Sequence, residues 1–243
     1  MRAVAASLAA LSALVAAPVV RADDVAAPAK RAYSVAAIGD SLTDPKAQGG
    51  KYLDLLRERC PASRFDAYGR GGQMVNQMRA RFARDIFGDA SDDGPAVDKP
   101  RYTHVLVFGG VNDLYSDRTA GRTVAKIEAD LSAMYSMARA RGVAVVALTV
   151  APWGGFSRYY NERRGRATAE LNRWIGAQLS DPSAPGARAG TVDAVVDTVP
   201  LLSCGDPTRL CPRYARKDQI HWTALGQQRL GEELHAKLFA DCR

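Results

Sequence analysis

Along the chain, short runs of apolar residues alternate with longer stretches in which apolar positions recur every three or four residues. The short runs predict strands at 33–38, 64–68, 103–108, 143–150 and 191–196. The longer stretches predict helices at 50–60, 74–87, 119–141, 161–179 and 223–240. The helical pattern is clearest at 119–141, where Ile127, Leu131, Met134 and Ala138 share a face and Gly142 stands where a helix should stop. Leu53, Leu56 and Cys60 mark one side of the first helix; Leu230, Leu234 and Leu238 mark the buried side of the last. Segments 88–100 and 181–190 are rich in Gly, Pro, Ser and Asp and read as surface loops. Strands alternating with helices predict a parallel sheet covered on both faces, in one α/β domain over residues 32–243.

Residues 1–22 do not belong to that pattern. Arg2 precedes an alanine-rich apolar stretch, and Val20-Arg21-Ala22 has the residues a signal peptidase accepts. This predicts a secretory signal cut after Ala22, a polar leader over 23–31, and an exported protein, periplasmic or secreted. No other stretch is long enough to span a bilayer, and no cysteine lies near the cut, so no stable membrane insertion is expected after signal removal. Loss of Arg2 and Arg21 with the signal lowers the net charge of +7 by two. The remaining excess is spread along the chain without a dense basic run, and a nucleic-acid partner is not expected.

Export changes the reading of the four cysteines, because an even number in an oxidising compartment predicts disulfides. Cys204 and Cys211 flank a short segment and read as a stapled loop; Cys60 and Cys242 would then tie the first helix to the C-terminal tail. Four cysteines allow three pairings, and spacing does not choose among them. With no Cys-x-x-Cys pair and the histidines elsewhere, neither a metal site nor a cofactor is predicted.

The polar residues acquire meaning from where the strands end. Ser41 follows the first strand; Gly69, Gly71 and Gly72 follow the second; Asn112 follows the third and Trp153 the fourth; Asp218 and His221 come after the fifth. In an open parallel sheet these positions share the carboxyl edge, where ligands bind. A serine hydroxyl needs a base as it attacks, and His221 is the candidate. His104 begins a strand at the opposite edge, and His235 lies near the end of the last helix, where the helix dipole accounts for it. Asp218 would hold the imidazole in its reactive tautomer. The Ser41 amide, a glycine amide after the second strand and the Asn112 side chain would receive the oxyanion formed on attack.

Gly39-Asp40-Ser41-Leu42, the glycine cluster, Gly110-Val111-Asn112-Asp113 and Asp218-Gln219-Ile220-His221 together resemble the four blocks of the SGNH (GDSL) hydrolase family of serine esterases and lipases. The resemblance implies a three-layer flavodoxin-like fold with a five-stranded parallel sheet. It also implies a Ser41–His221–Asp218 triad without a metal, and an oxyanion hole from Ser41, Gly72 and Asn112. The second block departs from the pattern: families of this kind show Asn-x-Gly-x-Ser-Gly, and this chain has Ala67-Tyr68-Gly69-Arg70-Gly71-Gly72, which leaves Gly71 as a second candidate donor. Arg70 is positioned either to meet an anionic substrate or to pair with a surface carboxylate. Trp153 and Phe156, in the loop after the fourth strand, would either contact substrate or pack that loop onto the domain. The expectation is an exported carboxyl esterase acting on short acyl groups of a glycan or small alcohol. A lysophospholipase or thioesterase is the lipid-directed alternative, and a non-catalytic glycan- or envelope-binding protein the remaining one.

Overall fold

The structure, a computed structural model, describes residues 30–91, 94–179 and 191–243. The predicted signal peptide, most of the predicted polar leader and the loop predicted over 181–190 lie outside the described residues. Five strands form: β1 (Ser34–Gly39), β2 (Arg64–Gly69), β3 (His104–Phe108), β4 (Ala144–Leu148) and β5 (Ala194–Val196). They pair in parallel in the order β2-β1-β3-β4-β5. The helices are α1 (Lys51–Arg59), α2 (Val75–Phe82), α3 (Val111–Tyr115), α4 (Val124–Arg139), α5 (Glu162–Gly176), α6 (Thr198–Leu202) and α7 (Ala224–Leu238).

Both faces of the sheet are buried, which explains why its central strands read as continuous apolar runs. Alternate residues go to opposite faces. Val35, Ala37, Leu106, Phe108, Val146 and Leu148 pack with α1 and α7, while Ala36, Ile38, Val105, Val107, Val145 and Ala147 pack with α2, α4 and α5. Among the described residues no helix is long and apolar enough to cross a membrane.

Three expectations are corrected. The helix predicted over 119–141 starts at Val124, because Thr123 caps it by accepting from the Lys126 amide. The preceding turn instead brings Arg122 inward onto Asp113 and Asp130. The helix predicted over 74–87 is α-helical only to Phe82 and continues as a π turn over Ala83–Phe87. The fifth strand has three residues, and Val192 lies outside it in an isolated bridge to Leu179. Two short helices, α3 and α6, were too brief to carry a hydrophobic period.

Strand order decides where a site can be. The chain runs from β1 outward to β2, then returns past β1 to β3, so connections leave β1 and β3 in opposite directions. That divergence opens a crevice at the carboxyl ends of these two strands. Gly39 at the end of β1 is required there: a Cβ would lie 2.8 Å from the Phe108 carbonyl oxygen and 2.4 Å from Thr43 Oγ1.

Disulfides join Cys60 to Cys242 and Cys204 to Cys211. The first ties α1 to the tail beside the Arg31–Cys242 bridge, across a sequence separation of 182. Cys60, His235 and Cys242 bring potential ligand atoms within 4.8 Å of one another, but both sulfurs are spent on the disulfide and thiolates are what a metal takes. Replacing Cys60 and Cys242 by alanine is expected to cost about 2–5 kcal/mol of unfolding free energy, because a long loop is released in the unfolded chain. Urea unfolding measures it; a loss below about 0.5 kcal/mol would mean that the hydrogen bonds at this edge suffice without the cross-link.

Candidate active site

The chain turns sharply after β1. The Asp40 carbonyl accepts from the amides of Thr43 at 3.1 Å and Asp44 at 2.9 Å, and the Asp40 carboxylate accepts from the Leu42 amide at 2.9 Å. This turn presents Ser41 in the crevice. From the far end of the chain, His221 Nε2 comes within 2.9 Å of Ser41 Oγ. Its Nδ1 lies 2.8 Å from Asp218 Oδ2. With Nδ1–H donating to the carboxylate, Nε2 is left with a lone pair facing the serine hydroxyl.

The imidazole is held from two directions. Asp218 Oδ1 also accepts from the Ile220 amide at 3.0 Å and the His221 amide at 2.9 Å, and Gln219 between them takes a left-handed φ of 62°. Burial pushes the Asp218 carboxyl up, but the two amides and the ring outweigh it and hold the group below the usual carboxylate range. On the other side of His221, Trp222 is buried, with its ring 5.6 Å from that of Phe108 at the end of β3. Thr223 then caps α7 by accepting from the Gly226 amide. The histidine is thus fixed between an Asx-type turn and a helix start, and its side chain stays about one-third exposed (32%) toward the crevice.

Ser41, Gly72, Asn112, Tyr115, Phe156, Ile220 and His221 line one pocket of about 150 Å³. The two glycines left open by the sequence differ in the bonds they make. The Gly71 amide donates to Asp44 Oδ2 at 2.9 Å and is thereby committed. Gly72 has φ +76° and faces the pocket, and its amide has no acceptor among the described residues. Asn112, buried on α3, donates through Nδ2 to the Gln73 carbonyl at 2.8 Å and to Asp40 Oδ2 at 3.2 Å.

The expected substrate contacts separate. Phe156 lines the pocket, with Tyr115 edge-on at 6.0 Å. Trp153 does not line it, in keeping with the packing alternative: it is 1% exposed, its indole N–H donates to Thr168 Oγ1 at 3.0 Å, and its ring meets Tyr160 at 4.9 Å. Arg70 does not line the pocket and pairs with a carboxylate, the largely buried Asp85, at 3.2 Å. His104 begins β3 with its ring among Tyr33 and Phe239, and burial holds its pKa down. His235 lies on α7, and burial together with the nearby Arg59 lowers its pKa.

A layer of buried charge lies behind the pocket, and sequence reasoning did not find it. Arg81 donates to Gln73 Oε1 at 2.6 Å, to the Gly39 carbonyl at 3.0 Å and to Asp85 at 2.6 Å. Asp113 accepts from the Val75 amide at 2.9 Å and from Arg122 at 2.6 Å. These bonds clamp segment 70–75, which carries Gly72 and the Gln73 carbonyl, against β1 and α3. Asp113 was visible inside a quoted motif; Asp85 and the arginines carry no local signal.

A family model described as the GDSL-like lipase/acylhydrolase family matches residues 37–229. No curated protein matches the chain by sequence. Among solved structures, a GDSL-like lipase from Bacteroides thetaiotaomicron is similar at 20% identity, with 84% of this chain and 86% of that one covered and a TM-score of 0.63. A lipase/acylhydrolase from Enterococcus faecalis is similar at 18% identity, covering 87% and 97%, with a TM-score of 0.62. A catalytic mutant of an acetylxylan esterase from Geobacillus stearothermophilus is similar at 16% identity, covering 88% and 98%, with a TM-score of 0.63. At these identities the likeness to solved structures is one of fold.

Proposed function

The chain belongs to the GDSL-like lipase/acylhydrolase (SGNH) family of serine hydrolases acting on ester bonds, and from that premise we propose that it is an exported esterase that removes short acyl groups from a glycan or small alcohol. The observation that carries the reading is the continuous hydrogen-bonded relay from Ser41 Oγ through His221 to Asp218, at 2.9 and 2.8 Å.

In the proposed reaction the Ser41 proton passes to His221 Nε2 as Oγ attacks the ester carbonyl carbon. Asp218 stabilises the imidazolium so formed. The carbonyl oxygen becomes an oxyanion and is received by the amides of Ser41 and Gly72 and by Asn112 Nδ2. Collapse of the tetrahedral intermediate breaks the bond to the alcohol oxygen, which leaves with the proton from His221 Nε2. Water then attacks the acyl-enzyme, giving its proton to Nε2, and the acid departs as Ser41 recovers its own. No step calls for a metal or cofactor.

Acyl size is inferred from space. The pocket around Ser41 holds about 150 Å³ and is walled by Tyr115, Phe156 and Ile220, small beside the roughly 300–1,000 Å³ of pockets that enclose drug-sized ligands. A largely apolar cavity of about 410 Å³ lies between α5 and α6, but it is bounded by buried Trp153 and contains neither Ser41 nor His221. A long acyl chain would have to extend beyond the pocket around Ser41. Hydrolysis of p-nitrophenyl esters is therefore expected to fall by about tenfold or more in kcat/KM from acetyl to octanoyl. A flat or rising series, or faster turnover of lysophospholipid than of acetylated polysaccharide, would favour the lipid-directed alternative.

Export rests on the signal-like pattern of residues 1–22 and is compatible with the two disulfides. In this reading residues 32–243 form the mature hydrolase domain, and the protein is periplasmic or secreted.

A further inference from the structure

The carboxylate of Asp40 is 1% exposed, and among the described residues no salt bridge reaches it. Its acceptor bonds come from neutral groups, the Leu42 amide at 2.9 Å and Asn112 Nδ2 at 3.2 Å. A buried carboxyl without a salt bridge costs stability, and burial pushes its pKa up to about 6 against the opposing pull of the Leu42 amide and of His221. An apolar residue or an amide would avoid that cost, so the carboxylate needs a reason to be there.

We propose that Asp40 is a positioning residue that orients the Asn112 side-chain amide for oxyanion binding while fixing the turn that carries Ser41. The inference rests on the reading of Asn112 as an oxyanion donor. A primary amide has two nearly isosteric ends, one donating and one accepting. Nδ2 of Asn112 lies between two acceptors, the Gln73 carbonyl and Asp40 Oδ2. A flipped amide would set Oδ1 against both, lone pair to lone pair, and would offer an acceptor where negative charge develops. Gln73 is itself held by Arg81, which also bonds the Gly39 carbonyl next to Asp40. Asp40 is the member of this set that touches both the serine turn and α3, so it couples the two sides of the crevice.

The test is a double-mutant cycle on p-nitrophenyl acetate with Asp40→Asn, Asn112→Ala and the pair. In Asp40→Asn one oxygen can still cap the Leu42 amide, while an N–H comes to face Asn112 Nδ2. The expected result is a kcat about 10- to 100-fold lower with KM within about threefold, shrinking to less than about threefold when Asn112 is already alanine. Asp40→Ser is the second variant: its hydroxyl accepts from the Leu42 amide but is too short to reach Asn112, and the same pattern is expected. If Asp40→Asn costs as much with alanine at 112 as with asparagine, the positioning role is overturned and the oxyanion reading stands. If Asn112→Ala alone leaves the rate unchanged, the oxyanion reading falls and takes this one with it. If neither Asp40 variant folds by circular dichroism while Asn112→Ala does, Asp40 is a purely structural residue and the proposal fails.

Discussion

Ser41→Ala is expected to lower kcat for p-nitrophenyl acetate by about 10⁵–10⁶-fold while changing KM little, the size of effect seen when a nucleophile that works as one unit with its base is removed. The hydroxyl is the group in the pocket that can form the covalent intermediate, and its 2.9 Å contact with His221 Nε2 is what would make it nucleophilic at neutral pH. The pocket walls would remain, because Phe156, Tyr115 and Ile220 are held by other parts of the chain. Folding should also survive, since the turn is fixed by the Asp40 carbonyl and carboxylate and not by the serine side chain. His221→Ala is expected to cost about as much, and the double variant little more, because the two act in one step. Initial rates measure the loss, and the mass of acid-quenched enzyme reports the acyl adduct directly. A Ser41→Ala protein within about tenfold of wild type would assign the nucleophile elsewhere.

How much of this could be read from residues alone follows from what each feature depends on. The central strands were legible because burial on both faces writes an apolar run into the sequence, and α4 and α7 because one buried stripe repeats over four turns. The meeting of Ser41 with His221, 180 positions apart, followed from topology: residues just past parallel strands share an edge. Features set by tertiary pairing were not legible. Arg81 and Arg122 look like surface charges on helix flanks, and only their buried carboxylate partners show otherwise. The start of α4 was misplaced because Thr119 and Thr123 are both acceptable caps, and the choice falls to the inward turn of Arg122. Trp153 sits at the carboxyl edge in sequence, yet its ring turns back into the domain, where Thr168 satisfies its N–H. Strand ends locate a backbone; they do not say which way a side chain points. The choice between Gly71 and Gly72 likewise depends on the bond that the Gly71 amide donates to Asp44, 27 positions earlier.

Asn112→Ala is expected to lower kcat by about 10²–10³-fold, with KM within a few-fold of wild type. The charge it meets exists only after attack, so its removal should be felt in the transition state and hardly in the bound substrate. Its Nδ2 already has two acceptors, at 2.8 and 3.2 Å, and the longer bond to Asp40 is the one an arriving oxyanion would share. Three donors are proposed for one oxygen, so the amides of Ser41 and Gly72 would still act in the variant, which is why the loss should stop well short of that in Ser41→Ala. The acyl-length preference gives an internal control. It depends on the walls at Tyr115, Phe156 and Ile220, which Asn112 does not form, so the ratio of acetyl to octanoyl turnover should survive as both rates fall. A rise in KM with kcat unchanged would instead make Asn112 a ground-state binding group, and an unchanged kcat/KM would remove it from the site.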